Sequence, residues 1–252
     1  MAALRTVRLG GLDTIIATGR ELASLMVDDC LAARGQARLP RLVFSSNGQG
    51  ISLAGRDPEF ARAMQAADIV HADGMPVVLA SRWLTRTPLP ERIATTDFFH
   101  QAAEAAIPHG LRFYMLGATE ERNAAVCRAI ARLYPDLKVV GRHHGYFPDS
   151  DSAAICADIV ARGTDVLWVA LGKPRQELWS VANRERLRGV GWLKTCGGLY
   201  GFLTAEEKRA PRWAQRAGLE WLFRAAQDPR RLGWRYLVTN PHAFYRLLRF
   251  SG

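Results

Sequence analysis

A chain of 252 residues that is 48% hydrophobic can bury a sizeable core, as one large α/β domain or as one domain with an appendage. Its formal net charge of +10 points to an anionic partner: nucleic acid, a phosphorylated ligand or an anionic membrane surface. Cys30, Cys127, Cys156 and Cys196 form neither a CxxC pair nor a zinc spacing, residues 1–6 lack a signal-peptide core, and no apolar run reaches the ~18 residues of a spanning helix. A disulfide scaffold, a zinc module and an integral membrane protein are thereby excluded, and reduced thiols in a soluble or peripherally bound cytoplasmic protein are expected.

Up to residue 15 the chain reads as a short strand or turn. Residues 18–33 read as an amphipathic helix, with Thr18 as its cap and Glu21 in capping-box spacing. Residues 41–45 form a short apolar strand. It runs into Ser46-Asn47-Gly48-Gln49-Gly50, a small polar turn suited to close backbone approach by a ligand. Asp57-Pro58-Glu59 opens a helix to about residue 67. Ile69-Val70-His71-Ala72 is a buried strand that meets Asp73 and Gly74, and a helix-like segment follows over 77–84. A carboxylate there sits where open α/β sheets bind ligands. Read by itself, Asp73 is the cap of the helix that follows it. Thr96-Asp97 precede a helical run through residue 106.

The second half repeats the rhythm. Strands are predicted at 112–116, 138–141, 165–171 and 191–196, and helices at 120–134, 152–162 and 175–187. The near-continuous apolar run at 165–171 suits a sheet buried on both faces. The alternation predicts an α/β fold, a layered and mostly parallel sheet with helices on both faces, over residues 1–207. Residues 208–252 differ. They hold ten Lys/Arg against the two acids Glu220 and Asp228, with aromatics interleaved, and read as two or three short helices broken at Pro211, Pro229 and Pro241. Such a tail reads as an appendage that seeks an anionic lipid surface. The plainer reading is a solvated basic face with aromatic anchors, which leaves the concentration of arginines unexplained.

Four turns after strands are expected to meet at one sheet edge: 45–48, 73–74, 117–119 and 172–176. In Gly172-Lys173-Pro174-Arg175-Gln176-Glu177 a helix start offers free N–H groups to phosphate, Lys173 and Arg175 add charge, and Gln176 is placed to read a base or sugar edge. The plain alternative is turn chemistry with solvated charges. There is no GxGxxG, no P-loop and no GxSxG. His143-His144 should alternate faces in a strand, so the pair reads as structural or substrate-contacting rather than as a metal site.

In order along the chain stand Ser45-x-Asn47, Asp57-Pro58, Ala72-Asp73-Gly74-Met75, Pro90-Glu91-Arg92, Thr96-Asp97, His143-His144-Gly145-Tyr146-Phe147, Leu171-Gly172-x-Pro174-x-Gln176-Glu177 and Lys208-Arg209-Ala210-Pro211. Gly218-Leu219-Glu220-Trp221-Leu222-x-Arg224 and Pro229-Arg230-Arg231 follow. Jointly, over about 40–245, this set resembles the WecG/TagA/CpsF glycosyltransferases. The resemblance implies an inverting, membrane-associated enzyme that moves a sugar from a UDP-sugar to a polyprenyl-diphosphate-linked saccharide, on the inner face of a bacterial membrane, in cell-surface or exopolysaccharide synthesis. It implies Asp73 as general base and Ser45 as a catalytic-site hydroxyl. Asn47, Gly74, Arg92, Thr96, Asp97, His144, Gly172, Pro174, Gln176 and Glu177 become substrate-binding candidates. Lys208, Arg209, Arg212, Arg224, Arg230 and Arg231 would neutralise the diphosphate, with no metal and no cofactor implied. Thr95 stands where the family usually has glycine, and Gly201 where it usually has an acid. The expected donor sugar is therefore N-acetylmannosamine, its uronate or glucose. A homo-oligomer is left open and no nucleic-acid partner is expected. The other readings are a nucleic-acid-binding module, which leaves the ordered polar turns unexplained, and a nucleotide-binding scaffold without catalysis.

Overall fold

The computed structural model describes residues 4–207 and 209–252. Two short strands, β1 (Thr6–Leu9) and β2 (Leu12–Ile15), form an antiparallel hairpin at the start. The main sheet holds β3 (Arg41–Ser46), β4 (Ile69–Ala72), β5 (Arg112–Gly117), β6 (Lys138–His143), β7 (Val166–Ala170) and β8 (Trp192–Thr195). These six strands lie in the order β4-β3-β8-β7-β5-β6, and every neighbouring pair is parallel. All six carboxyl ends therefore reach one edge.

The central strands are apolar on both sides, so alternate residues feed two cores. On one face Val43, Ile69, Phe113, Val166, Trp168 and Trp192 pack under α1 (Gly19–Ala33), α5 (Thr95–Ala106) and α6 (Glu120–Leu133). On the other, Leu42, Phe44, Val70, Leu116, Leu167 and Leu193 pack under α2 (Gly48–Ala54), α3 (Pro58–Gln65), α4 (Met75–Leu84), α7 (Ser152–Ala161) and α8 (Arg175–Ala182). Thr18 and Glu21 form the expected reciprocal cap of α1. A parallel sheet flanked by helices is thus the architecture that the strand and helix rhythm predicts.

Four local differences bear on the site. Residues 48–54 are a helix rather than an open polar turn: Asn47 Oδ1 accepts from the Gly50 N–H at 3.0 Å, and Ile51 is buried. Two glycines lower the helix propensity of so short a segment, and packing against the tail offsets this. The predicted helix 175–187 ends earlier, and a 3-10 turn follows at Glu185–Leu187. A further short helix, α9 (Leu199–Leu203), follows β8. Pro241 does not break the last helix. After α10 (Arg212–Arg216), α11 (Glu220–Gln227) and a π-helical turn at Pro229–Gly233, α12 (Trp234–Arg249) runs through Pro241 without interruption. Proline costs a helical hydrogen bond. Ala243 and Leu247 are buried on the core after it, and His242 Nδ1 meets Ser52 Oγ at 3.0 Å, so the half that follows stays docked.

The C-terminal residues are tied to the hairpin turn. The Gly11 N–H donates to the Phe250 carbonyl at 2.8 Å, the Gly10 N–H to Ser251 Oγ at 3.0 Å, and Arg246 Nε to the Gly10 carbonyl at 3.2 Å. Gly10 has φ +60°, and a Cβ there would come within 2.7 Å of Ile51, so the turn needs glycine twice over.

At the amino edge of the sheet Asp165 acts as a clasp. Its carboxylate accepts from Arg34 Nε and Nη2 at 2.9 Å, from the Arg112 N–H at 2.7 Å and from Arg112 Nε at 3.1 Å. Burial raises the Asp165 carboxyl, and the bonds from Arg34 and Arg112 outweigh this, so its pKa lies below the ordinary carboxylate value. The stabilisation is full above the unfolded value of ~3.9 and is lost as pH falls through the lower folded value. Asp165→Ala is expected to cost about 2–4 kcal/mol in urea unfolding at neutral pH, with the deficit shrinking under acid.

Candidate functional site at the carboxyl edge of the sheet

Asp73 follows β4 and is half-buried. It does not cap α4: Gly74 holds that position and no side chain bonds the helix start. Instead Asp73 Oδ1 accepts from the Thr95 N–H, the first residue of α5, at 2.7 Å. The expected cap of the following helix is therefore absent, and the carboxylate serves the start of a different helix. α5 begins at Thr95 because this carboxylate satisfies one of its free N–H groups. The other oxygen, Oδ2, lies 3.4 Å from Asn47 Nδ2, a weak contact that leaves its lone pairs open. Asn47 is fixed in turn by its own cap role on α2, and the Asp73 N–H donates to the Ser46 carbonyl at 2.8 Å.

The turn after β7 reaches the same place. Lys173 Nζ donates to the Ser45 carbonyl at 2.9 Å and to Glu177 Oε1 at 2.7 Å. Gln176 Nε2 donates to Glu177 Oε1 at 2.8 Å, and Gln176 Oε1 accepts from the Gly197 N–H at 3.0 Å. Gln176 and Glu177 are buried, so they fix the turn instead of offering free ends, and Glu177 Oε2 has no hydrogen-bond partner among the described residues. Arg175 donates to the Gly145 and Phe147 carbonyls, both at 2.8 Å. The charge that Lys173 and Arg175 were expected to offer phosphate is therefore engaged within the fold. Gly172 and Pro174 shape the turn, with Gly172 at φ +78°.

The chain leaves β5 towards β6 on one side and β7 towards β8 on the other, so their following loops part at the carboxyl edge. Gly117 closes the floor there: its φ is 137°, and a Cβ would come within 2.4 Å of the Ala170 carbonyl oxygen.

The C-terminal region covers the other half of the site. Arg92 donates to Glu220 at 2.5 Å, to Gln215 at 2.9 Å and to Asp97 at 3.5 Å. Arg209 donates to Asp97 at 2.5 and 3.2 Å and to Gln215 at 2.9 Å. Burial raises the Asp97 carboxyl, and Arg209, followed by Arg92, more than offsets this and holds it below the ordinary value. Arg224 pairs with Glu207 at 3.0 Å and stacks 5.2 Å from the Phe202 ring centre. A Cβ on Gly201 would meet the other Glu207 oxygen, Oε1, at 2.7 Å, so the Glu207 carboxylate packs where the resemblance expects an acid on residue 201. Arg212 and Arg230 are exposed. Lys208 and the Arg231 side chain lie outside the described residues.

A family model for the WecG/TagA/CpsF glycosyl transferases matches residues 16–251. The chain belongs to this family. Across the family match, Ser45, Asn47, Asp73, Gly74, Thr95, Thr96, Asp97, Arg92 and the 172–177 turn gather around the ends of β3, β4 and β7. His144 follows β6, the outer strand five spacings of about 4.8 Å from β4, but its neighbour Gly145 accepts from Arg175 at 2.8 Å, so the 143–147 loop borders the 172–177 turn from the far side. The two histidines do not alternate faces, because β6 ends at His143. Their rings lie 4.6 Å apart, and His143 Nδ1 meets the His144 carbonyl at 2.8 Å.

Two buried groups escape a reading of strand pattern. His71 on β4 and Lys194 on β8 both face Phe98 of α5, at 6.1 and 6.0 Å from its ring centre. Their signal in this glycosyltransferase sequence is a basic residue inside an otherwise apolar run. Burial, then the charge of Lys194, pushes the His71 pKa far below its ordinary value, against an opposing contact with the Ile93 backbone. His71 is therefore neutral.

The Arg92–Asp97–Arg209–Glu220 network fastens the tail to α5. Arg92→Ala is expected to raise amide hydrogen exchange across 212–227 by roughly tenfold, and Asp97→Asn by less, up to about fivefold, since exposed pairs contribute little. Exchange in β7 should not change.

Proposed function

We propose that this glycosyl transferase moves a sugar from a UDP-sugar to a polyprenyl-diphosphate-linked saccharide, with inversion, and that Asp73 is its general base. The observation that carries the reading is the hold on Asp73. One oxygen is anchored by the Thr95 N–H, and the other faces the site with only a weak contact to Asn47. A carboxylate is a weak base, so its effect depends on being held in line with the acceptor hydroxyl. Asp73 Oδ2 takes the hydroxyl proton as that oxygen attacks the anomeric carbon, and the nucleoside diphosphate departs on the opposite side. Ser45 stands on the strand beside β4, opposite His71, near enough to the same edge to orient a sugar hydroxyl. The leaving diphosphate needs positive charge, which in this reading comes from Arg212 and Arg230 and from Arg209 and Arg224 once they exchange their acids for phosphate. Donor candidates are UDP-linked N-acetylmannosamine, its uronate, or glucose. The packing of Glu207 against Gly201 supports testing all three.

In this reading residues 208–252 form the appendage that holds the enzyme peripherally on an anionic inner-membrane surface. α12 supports it. Its outward face carries Trp234, Leu237, Val238, Pro241, Phe244, Tyr245 and Leu248, one continuous apolar stripe along the helix. No described helix is long and apolar enough to cross a membrane.

Asp73→Asn should lower kcat about 100- to 10,000-fold while UDP affinity stays within a few-fold of wild type. Turnover near the native rate would remove Asp73 from the base role, and a panel of UDP-sugars read by UDP release identifies the donor. For the appendage, Leu237→Glu combined with Phe244→Glu is a cleaner probe than truncation, because α12 also closes over α2. Flotation with vesicles containing anionic lipid is expected to fall roughly tenfold, with the melting temperature unchanged. Undiminished flotation would exclude this face as the anchor.

A further inference from the structure

Lys194 lies in β8 between β3 and β7, paired with Val43 and Trp168, and is 0% exposed. Its ammonium donates to the Thr195 carbonyl at 2.6 Å, and among the described residues no carboxylate approaches it at ion-pair distance. The titratable groups that act on it come from every side of the edge: Cys196 at the end of β8, Asp73 after β4, and Lys173 and Glu177 around the start of α8. His71 faces the same Phe98 ring, and its ring nitrogens make no hydrogen bond of ordinary geometry. A buried ammonium with one hydrogen bond is costly to fold, and a methionine would fill the same strand position without that cost.

The charges suggest what the ammonium is for. At rest Lys173 and Lys194 balance Asp73 and Glu177. In the transfer reaction the acceptor proton moves to Asp73, the acceptor oxygen's electron pair forms the new glycosidic bond, and the old anomeric C–O bond leaves its pair on the diphosphate. Asp73 becomes neutral, so the edge gains one uncompensated positive charge as the leaving group gains one negative charge.

We propose that Lys194 is the fixed internal cation of this site, a positioning residue whose field balances Asp73 before transfer and the departing nucleoside diphosphate after it. The inference rests on the proposed transfer reaction. The field acts through a water-poor interior, where it is strong and needs no reorganisation. Burial lowers the Lys194 pKa to about 8, so the cation is lost as pH rises through that value.

The test has two arms. In wild-type protein carrying 13C-labelled lysine, the lysine that titrates near pH 8 should move to higher pH by about one unit when UDP binds. Lys194→Met should lower kcat roughly tenfold or more at pH 7 with the donor KM little changed, abolish the fall in kcat above pH 8, and melt no lower than wild type. UDP binding that leaves the lysine titration in place overturns the inference alone. So does a folded Lys194→Met enzyme with native kcat, or one that keeps the alkaline fall. If the variant does not fold, the wild-type titration decides. Wild-type protein that binds no UDP overturns the transfer reading, and the inference with it.

Discussion

The hydrogen bond from the Thr95 N–H to Asp73 organises this half of the molecule. It sets where α5 begins, and so where Phe98 lies over the sheet and where Asp97 faces the tail. It also keeps the carboxylate at the strand end, with one oxygen satisfied and one turned to the site. A carboxylate at a helix start is favoured by the exposed N–H groups and by the dipole. The interaction that sets the start of this helix is also the one that orients the carboxylate proposed as the base.

A parallel sheet places its strand ends on one edge and separates residues by strand order. Asp73, Ser45 and the turn after β7 come together because β4, β3, β8 and β7 are neighbours. Their polar groups are largely committed to one another, so the turn is rigid and its basic side chains are already used. In the proposed reaction, charge for a diphosphate then comes from groups whose partners can be exchanged, such as Arg209 and Arg224, or from buried charge that needs no exchange, such as Lys194.

Much of this was legible in the sequence. Apolar runs marked the strands, and Pro, Gly and Asp at their ends marked the turns that meet at the edge. The partner of Asp73 was not legible, because it lies 22 positions away and is a backbone N–H, which no residue type announces. The helix at Gly48–Ala54 was hidden by its glycines, whose low propensity is overcome by packing on α12. Pro241 misled for the converse reason, since docking of the half that follows it outweighs one lost hydrogen bond. His71 and Lys194 were hidden because a strand pattern averages over one polar residue, and only strand order brings the two to the same aromatic ring.

The bonds between the hairpin turn and the C-terminal residues join groups 236 to 241 positions apart. The tail is fastened near its start to α5 through Arg92 and Arg209, along α12 to α2 through His242 and Ser52, and at its end to the hairpin through Gly10 and Gly11. Loop closure over so long a contour is slow and entropically costly. The hairpin and the tail therefore stabilise each other, and a change at either end of the sequence is felt at the other.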